Sequence, residues 1–130
     1  MVDIREQSPL SLAFVGDAVY SLLIREYLVT NKRYNINTLN KLTVQYVSAK
    51  GQFLALSLIR DILTEEEAAV IKRGQNASKA SVAKHASVEE YRASTGFECL
   101  IGYLKLTGQD DRIKFITDYI IENLKFDVKK

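Results

Sequence analysis

Two carboxylates stand alone in apolar surroundings. Asp17 lies in Leu12-Ala13-Phe14-Val15-Gly16-Asp17-Ala18-Val19-Tyr20-Ser21-Leu22-Leu23, and Glu98 in Ser94-Thr95-Gly96-Phe97-Glu98-Cys99-Leu100-Ile101-Gly102-Tyr103-Leu104. An unpaired charge is costly to bury, so each acid calls for a partner, a metal or solvent. If Asp17 is helical, Ala13, Phe14, Tyr20 and Ser21 lie one turn away and Gly16 is adjacent, which clears part of that face for a close approach. Glu98 has Ser94, Thr95 and Gly102 one turn away. The simpler alternative is that Asp17 marks the solvent face of an amphipathic helix. A third unusual stretch, Lys72 to His85, belongs to a span between Glu67 and Glu89 that holds no acid but has four Lys/Arg residues and several Gln, Asn and Ser donors. Carboxylates converging beside such a segment suit Mg²⁺-assisted cleavage of a phosphodiester. The metal lowers the pKa of water and stabilises charge on the phosphate, while exposed donors and cations hold the backbone. A plain solvated basic loop is the competing reading.

Other chemistries are poorly supplied. One cysteine, Cys99, forms no internal disulfide, and one histidine, His85, is too few for a Cys/His metal cage, so any metal must be hard and oxygen-bound. With His85 in the basic segment, neither a Ser/His/Asp nor a Cys/His constellation is supported. Cys99 reads as a small packed residue. At 130 residues, 47% of them hydrophobic, the chain suits a single domain over 1–130. No apolar run approaches the ~18 residues of a membrane span, and the N-terminus has no signal-peptide core, which predicts a soluble, cytoplasmic protein without a membrane partner. A net charge of +2 is too small to imply a polyanionic partner, so only its distribution argues for nucleic acid.

The elements that must position these acids are helices. Ser8-Pro9 starts the first, whose buried stripe is expected at Leu12, Val15, Val19, Leu22 and Leu23, with Ala18 and Tyr27, ending near Thr30-Asn31. Asn37 is placed to cap a second, with Leu39, Leu42, Tyr46, Ala49, Phe53 and Leu56 at helical spacing and Gly51 as its weak point; Lys41, Gln45, Ser48, Lys50 and Gln52 fall on its other faces, ordinarily solvated. Thr64 to Glu67 is a capping-box pattern opening a short helix through Lys72. Ser87 to Glu90 repeats it and opens a fourth helical region reaching Leu106, with Gly108 as a stop. Asp110-Asp111 begins the last helix, with Ile113, Ile116, Ile120 and Leu124 as its core stripe. No segment alternates like a strand, so the expected class is an all-α helical bundle. Asp17 and Glu98 form one site only if the first helix packs against the fourth helical region.

The two acid-bearing stretches also carry a resemblance. Phe14-Val15-Gly16-Asp17-Ala18-Val19 resembles the signature of the ribonuclease III catalytic domain, and Phe97-Glu98-Cys99-Leu100-Ile101-Gly102 resembles that family's second motif, in the family's order. Tyr46-Val47-Ser48-Ala49-Lys50-Gly51-Gln52, Lys72-Arg73-Gly74-Gln75-Asn76-Ala77 and Tyr91-Arg92-Ala93-Ser94-Thr95-Gly96-Phe97-Glu98 look like stretches of its Mini-III branch, which lacks a double-stranded-RNA-binding domain. The resemblance implies the ribonuclease III endonuclease fold and a homodimer whose two sites cut opposite strands of an RNA duplex, leaving 3′ overhangs. It implies Mg²⁺ as cofactor, with Asp17 and Glu98 as catalytic metal ligands. Arg73, Asn76, Lys79 and Lys84 become candidates for contact with the RNA backbone.

Larger members of the family carry a glutamate where this chain has Ala13 and an aspartate where it has Thr95. Fewer anionic ligands imply a weaker, more hydrated Mg²⁺ site, or a second metal recruited with the phosphate. Thr95 is then a candidate for orienting a water at the metal. The implied role is maturation of large-subunit (23S) ribosomal RNA on a precursor already carrying a large-subunit ribosomal protein, within a pre-ribosomal particle. Two other readings compete: a catalytically inactive, ribosome-associated double-stranded-RNA-binding module, and a helical domain that binds an acidic protein through its basic segment.

Overall fold

A computed structural model describes residues 3–78 and 87–126, and among these it is helical without strands. Six α-helices follow in order: α1 (Pro9–Asn31), α2 (Ile36–Val47), α3 (Ala49–Ile59), α4 (Glu65–Ala77), α5 (Val88–Leu106) and α6 (Asp110–Asn123). Single 3₁₀ turns lie at Ile4–Glu6 and Arg60–Ile62. Among the described residues no helix is long and apolar enough to cross a membrane.

Local chemistry sets most of the boundaries. Ser8 Oγ accepts the Ser11 N–H at 3.1 Å, and Pro9 occupies the first helical position, where its missing N–H costs nothing. Both capping boxes form: Thr64 with Glu67 opens α4, and Ser87 with Glu90 opens α5. Gly108, at φ +74°, terminates α5 in the left-handed conformation glycine tolerates, and the Gln109 N–H returns to the Leu104 carbonyl at 2.8 Å.

Three expectations need correction. The α2 cap is Asn35, whose Oδ1 accepts the Thr38 N–H at 2.8 Å, rather than Asn37. The helix expected to run from there through Leu56 breaks at Ser48. That residue, in extended conformation, ends α2 through its N–H to the Val44 carbonyl and opens α3 through its Oγ to the Gly51 N–H at 3.1 Å. Gly51 is therefore no weak point: a Cβ there would lie 2.0 Å from the Gln45 carbonyl oxygen, so its absence lets α3 start against the end of α2. Third, the α4 helix runs past Lys72 to Ala77. Gly74 stays helical because it packs on α5, where a Cβ would come within 2.9 Å of the Cys99 Cβ.

α5 is the central element. Ala93 through Phe97 and Cys99 through Gly102 are all buried, and Phe97, Leu100, Ile101 and Leu104 meet α1, α3, α4 and α6. Phe97 receives the Tyr20 ring edge-on at a centroid distance of 4.8 Å, an arrangement that adds about 0.5–1.5 kcal/mol to the burial itself. Ile113, Ile116 and Ile120 close the core from α6 as the spacing predicts, with Leu124 partly buried just beyond.

The face α1 turns inward is not the expected one. Leu12, Ala13, Gly16, Tyr20, Ile24 and Leu28 are buried; Val15, Val19, Leu23 and Tyr27 are half-buried, and Ala18 and Leu22 are exposed. The small residues Ala13 and Gly16 let α1 approach α5 more closely than a ridge of large side chains would, and this decides which face packs. The consequence is an exposed apolar ridge of Leu10, Phe14, Ala18 and Leu22, spaced four residues apart, with Phe14 82% exposed.

Candidate active site

The α1–α5 contact rests on a reciprocal pair of glycines. A Cβ on Gly16 would lie 1.8 Å from the Glu98 carbonyl oxygen, and one on Gly102 would lie 1.8 Å from the Leu12 carbonyl oxygen. The two backbones therefore touch, and what approaches beside Asp17 is the backbone of α5. Gly16 immediately precedes Asp17, while Gly102 follows Glu98 by one turn, so this contact sets the two acids side by side.

Asp17 is exposed and Glu98 partly buried. The solvent-face alternative for Asp17 and its pairing with Glu98 both hold, because the carboxyls meet where α1 emerges from the contact. Glu98 is pushed up to about 8 by burial, by a hydrogen bond with Asp17 and by its charge, against an opposing hydrogen bond from Gln52. Without a cation this setting favours the protonated form of Glu98. The Glu98 charge, poorly tolerated in its buried place beside Asp17, is one that a divalent cation would relieve. Among the described residues no cluster of three or more His, Cys, Asp or Glu side chains could hold a metal. Two hard oxygen donors fit Mg²⁺, which binds through one or two carboxylates and retains several waters.

Gln52 is the residue that the sequence reading missed. Expected on a solvated face, it is 1% exposed, and its Nε2 donates to Glu98 Oε2 at 3.2 Å and to the Val47 carbonyl at 3.0 Å. The signal available was its place in a stretch resembling the Mini-III branch. The periodicity pointed elsewhere because it assumed one unbroken helix through Ser48.

Thr95 lies on α5 three residues before Glu98 and is 7% exposed. Its hydroxyl donates to the Tyr91 carbonyl at 3.1 Å, and Ser78 Oγ is 3.4 Å away. Ala13, one turn before Asp17, packs with Leu12, Val70 and Cys99 in a small apolar cluster. Neither position supplies a carboxylate. Cys99 is buried, and burial pushes its thiol up to about 11, against the nearby Arg73 charge. It is a packing residue, as expected.

Arg73 and Asn76 are exposed on the last turns of α4, not on a loop. Arg92 fastens this end of α4 to α5: its Nε donates to the Gln75 carbonyl at 3.1 Å and its Nη2 to Asn76 Oδ1 at 3.5 Å. Lys79, Lys84 and His85 lie outside the described residues.

Residues 10–109 match the family model described as the Ribonuclease III domain. A Mini-ribonuclease 3 of Clostridium tetani is 43% identical over 120 residues, covering 92% of this chain and 80% of that protein. The corresponding protein of Enterococcus faecalis is 42% identical over 126 residues, covering 95% of this chain and 96% of its own length. A crystal structure of a protein from Fusobacterium nucleatum superposes with a TM-score of 0.84 at 37% identity, covering 95% of this chain and 98% of that one. With its family motifs in order and its two acids paired across the α1–α5 contact, the chain belongs to the ribonuclease III family of endoribonucleases, in the Mini-ribonuclease 3 branch.

Proposed function

We propose that this chain is a Mg²⁺-dependent endoribonuclease that hydrolyses phosphodiester bonds in both strands of an RNA duplex, acting as a homodimer in the cytoplasm on the precursor of 23S ribosomal RNA. The observation that carries the reading is the pairing of Asp17 with Glu98 where α1 and α5 touch through Gly16 and Gly102. A bound divalent cation supplies Lewis-acid stabilisation of charge on the phosphodiester and lowers the pKa of water for the attack. The chain's own part is to present two carboxylate oxygens from rigid helices, so that little reorganisation is needed when the backbone arrives. Thr95, one turn before Glu98, orients a water through its remaining lone pairs. A Thr95→Val protein with full activity would remove it from this role.

Arg73 and Asn76, with Lys79 and Lys84, contribute backbone contacts. These are few, so affinity for bare duplex is modest and salt-sensitive, and a ribosomal protein bound to the precursor adds the missing purchase. The homodimer is supported by the ridge of Leu10, Phe14, Ala18 and Leu22, whose apolar side chains have nothing to gain from water. The decisive experiment incubates purified protein with long double-stranded RNA, and separately with single-stranded RNA, in Mg²⁺ or in EDTA. Metal-dependent cleavage of the duplex into fragments with 3′ overhangs is expected. Duplex binding without cleavage under any metal or salt condition would instead point to a catalytically inactive double-stranded-RNA-binding module.

A further inference from the structure

The residue on which the site leans hardest is neither of its acids. Gln52 follows Gly51, and Gly51 packs so tightly on the end of α2 that the start of α3 has little freedom. The side chain is buried, and two acceptors, the Val47 carbonyl oxygen and Glu98 Oε2, converge on one end of it at 3.0 and 3.2 Å. That end is the amide NH₂, since the flipped amide would set its oxygen against the Val47 carbonyl oxygen, which can only accept. Val47 is the last residue of α2, so its carbonyl has no helical partner further along the chain, and the amide fills that need. One N–H is thus anchored to backbone and the other is aimed at Glu98. Among the described residues the amide oxygen is buried with no hydrogen-bond partner. An uncompensated buried acceptor is expensive, and an apolar residue would avoid it. The fold accepts that cost where a donor to Glu98 is required.

We propose that Gln52 is a positioning residue for the metal site: its amide, braced on the α2–α3 corner, fixes the rotamer of the Glu98 carboxylate so that the carboxylate faces the cation beside Asp17. The proposal rests on the reading of Asp17 and Glu98 as metal ligands. A partner holding a ligand from behind typically contributes 10–100-fold in metal affinity. Gln52 therefore acts through Glu98 on cation binding, while contact with RNA is made elsewhere on the surface.

The test compares wild type with Gln52→Met, which keeps the length without the amide, and with Gln52→Asn, which keeps an amide too short to reach Glu98. Each is checked for folding by circular dichroism. Two quantities are read: the Mg²⁺ midpoint of duplex RNA cleavage, and Mn²⁺ affinity followed by the electron paramagnetic resonance signal of free Mn²⁺. We expect both variants to need at least about tenfold more cation in each measurement. The KM for duplex RNA at saturating Mg²⁺ should stay unchanged, with much of kcat restored. Unchanged cation requirement in either folded variant, including equal or absent Mn²⁺ binding in wild type and variants alike, overturns the proposal and leaves Gln52 a strut between α2 and α5. A wild type that never cleaves duplex RNA would instead sink the functional reading itself.

Discussion

Replacing Gly102 by alanine adds one methyl group at the point where the α1 and α5 backbones touch. The new carbon would lie 1.8 Å from the Leu12 carbonyl oxygen and 2.7 Å from its carbon, whereas ordinary contact needs about 3.5 Å. The obstacle is backbone, so no side chain can rotate away and α1 must retreat by roughly 1.5 Å. That retreat loosens the packing of Leu12, Tyr20 and Ile24 against α5 and pulls Asp17 from Glu98. Overpacking of this kind costs typically about 1–3 kcal/mol, and a rigid obstacle shared by two central helices puts Gly102→Ala at or above about 3 kcal/mol. For a domain of this size that lowers Tm by about 10 °C, and endonuclease activity should fall at least about a hundredfold even where the protein remains folded. Gly108→Ala is the internal control. Nothing lies within 4 Å of the added carbon there, so only the left-handed φ of +74° is penalised, by about 1 kcal/mol, with activity unchanged. Urea unfolding followed by circular dichroism, with cleavage assayed below the transition, reads both effects. A Gly102→Ala protein within 1 kcal/mol of wild type, or one less affected than Gly108→Ala, would refute the claim that backbone contact sets the site.

Arg112→Ala should cost about 3 kcal/mol, because Arg112 holds Glu67 through two bonds of 2.8 Å and its loss leaves a carboxylate that is 4% exposed without its cation. Burial pushes Glu67 up, but Arg112 and Thr64 outweigh it and hold the carboxyl below 4.5, so this stabilisation exists above that pH and is lost as pH falls through the folded value; the acid limb of a Tm–pH curve should be shallower in the variant. The metal-free protein should behave in the opposite sense at Glu98: its carboxyl, at about 8 when folded and 4.5 when not, binds a proton more tightly in the native state, so stability declines as pH rises from 5 to 8, and Glu98→Gln abolishes that decline, which is worth on the order of 3–5 kcal/mol at pH 8 in EDTA. Phe14→Asp should convert a dimer to a monomer in light scattering while changing monomer stability by no more than about 0.5 kcal/mol, since the ring is 82% exposed.

The sequence carried the starts of α1, α4 and α5 and the end of α5 because each rests on local chemistry: Ser8-Pro9, the Thr64–Glu67 and Ser87–Glu90 capping boxes, and Gly108. It misjudged what depends on distant contacts. The inward face of α1 follows the small residues Ala13 and Gly16, because Gly16 meets the α5 backbone at Glu98 and Gly102 and Ala13 packs with Cys99; the larger Leu22 and Phe14 are left outside. A hydrophobic stripe counts side-chain size, and a close helix crossing reverses that preference. The break at Ser48 was hidden because serine is tolerated inside a helix as well as at its cap, and overlooking it sent Gln52 to the surface in place of the site. The extra turn of α4 follows from Gly74 meeting Cys99, a contact no local pattern announces. That Asp17 and Glu98 belong together was legible only as a condition, because their sequence separation hides the α1–α5 contact on which it depends.

The most direct test of the central claim is cleavage of long double-stranded RNA in Mg²⁺ by Asp17→Asn and Glu98→Gln proteins shown to be folded, alongside wild type with and without EDTA. Cleavage by wild type that EDTA abolishes is expected, with at least about a thousandfold loss in each variant and duplex binding retained. Cleavage by either variant at close to the wild-type rate would show that the reaction is centred elsewhere.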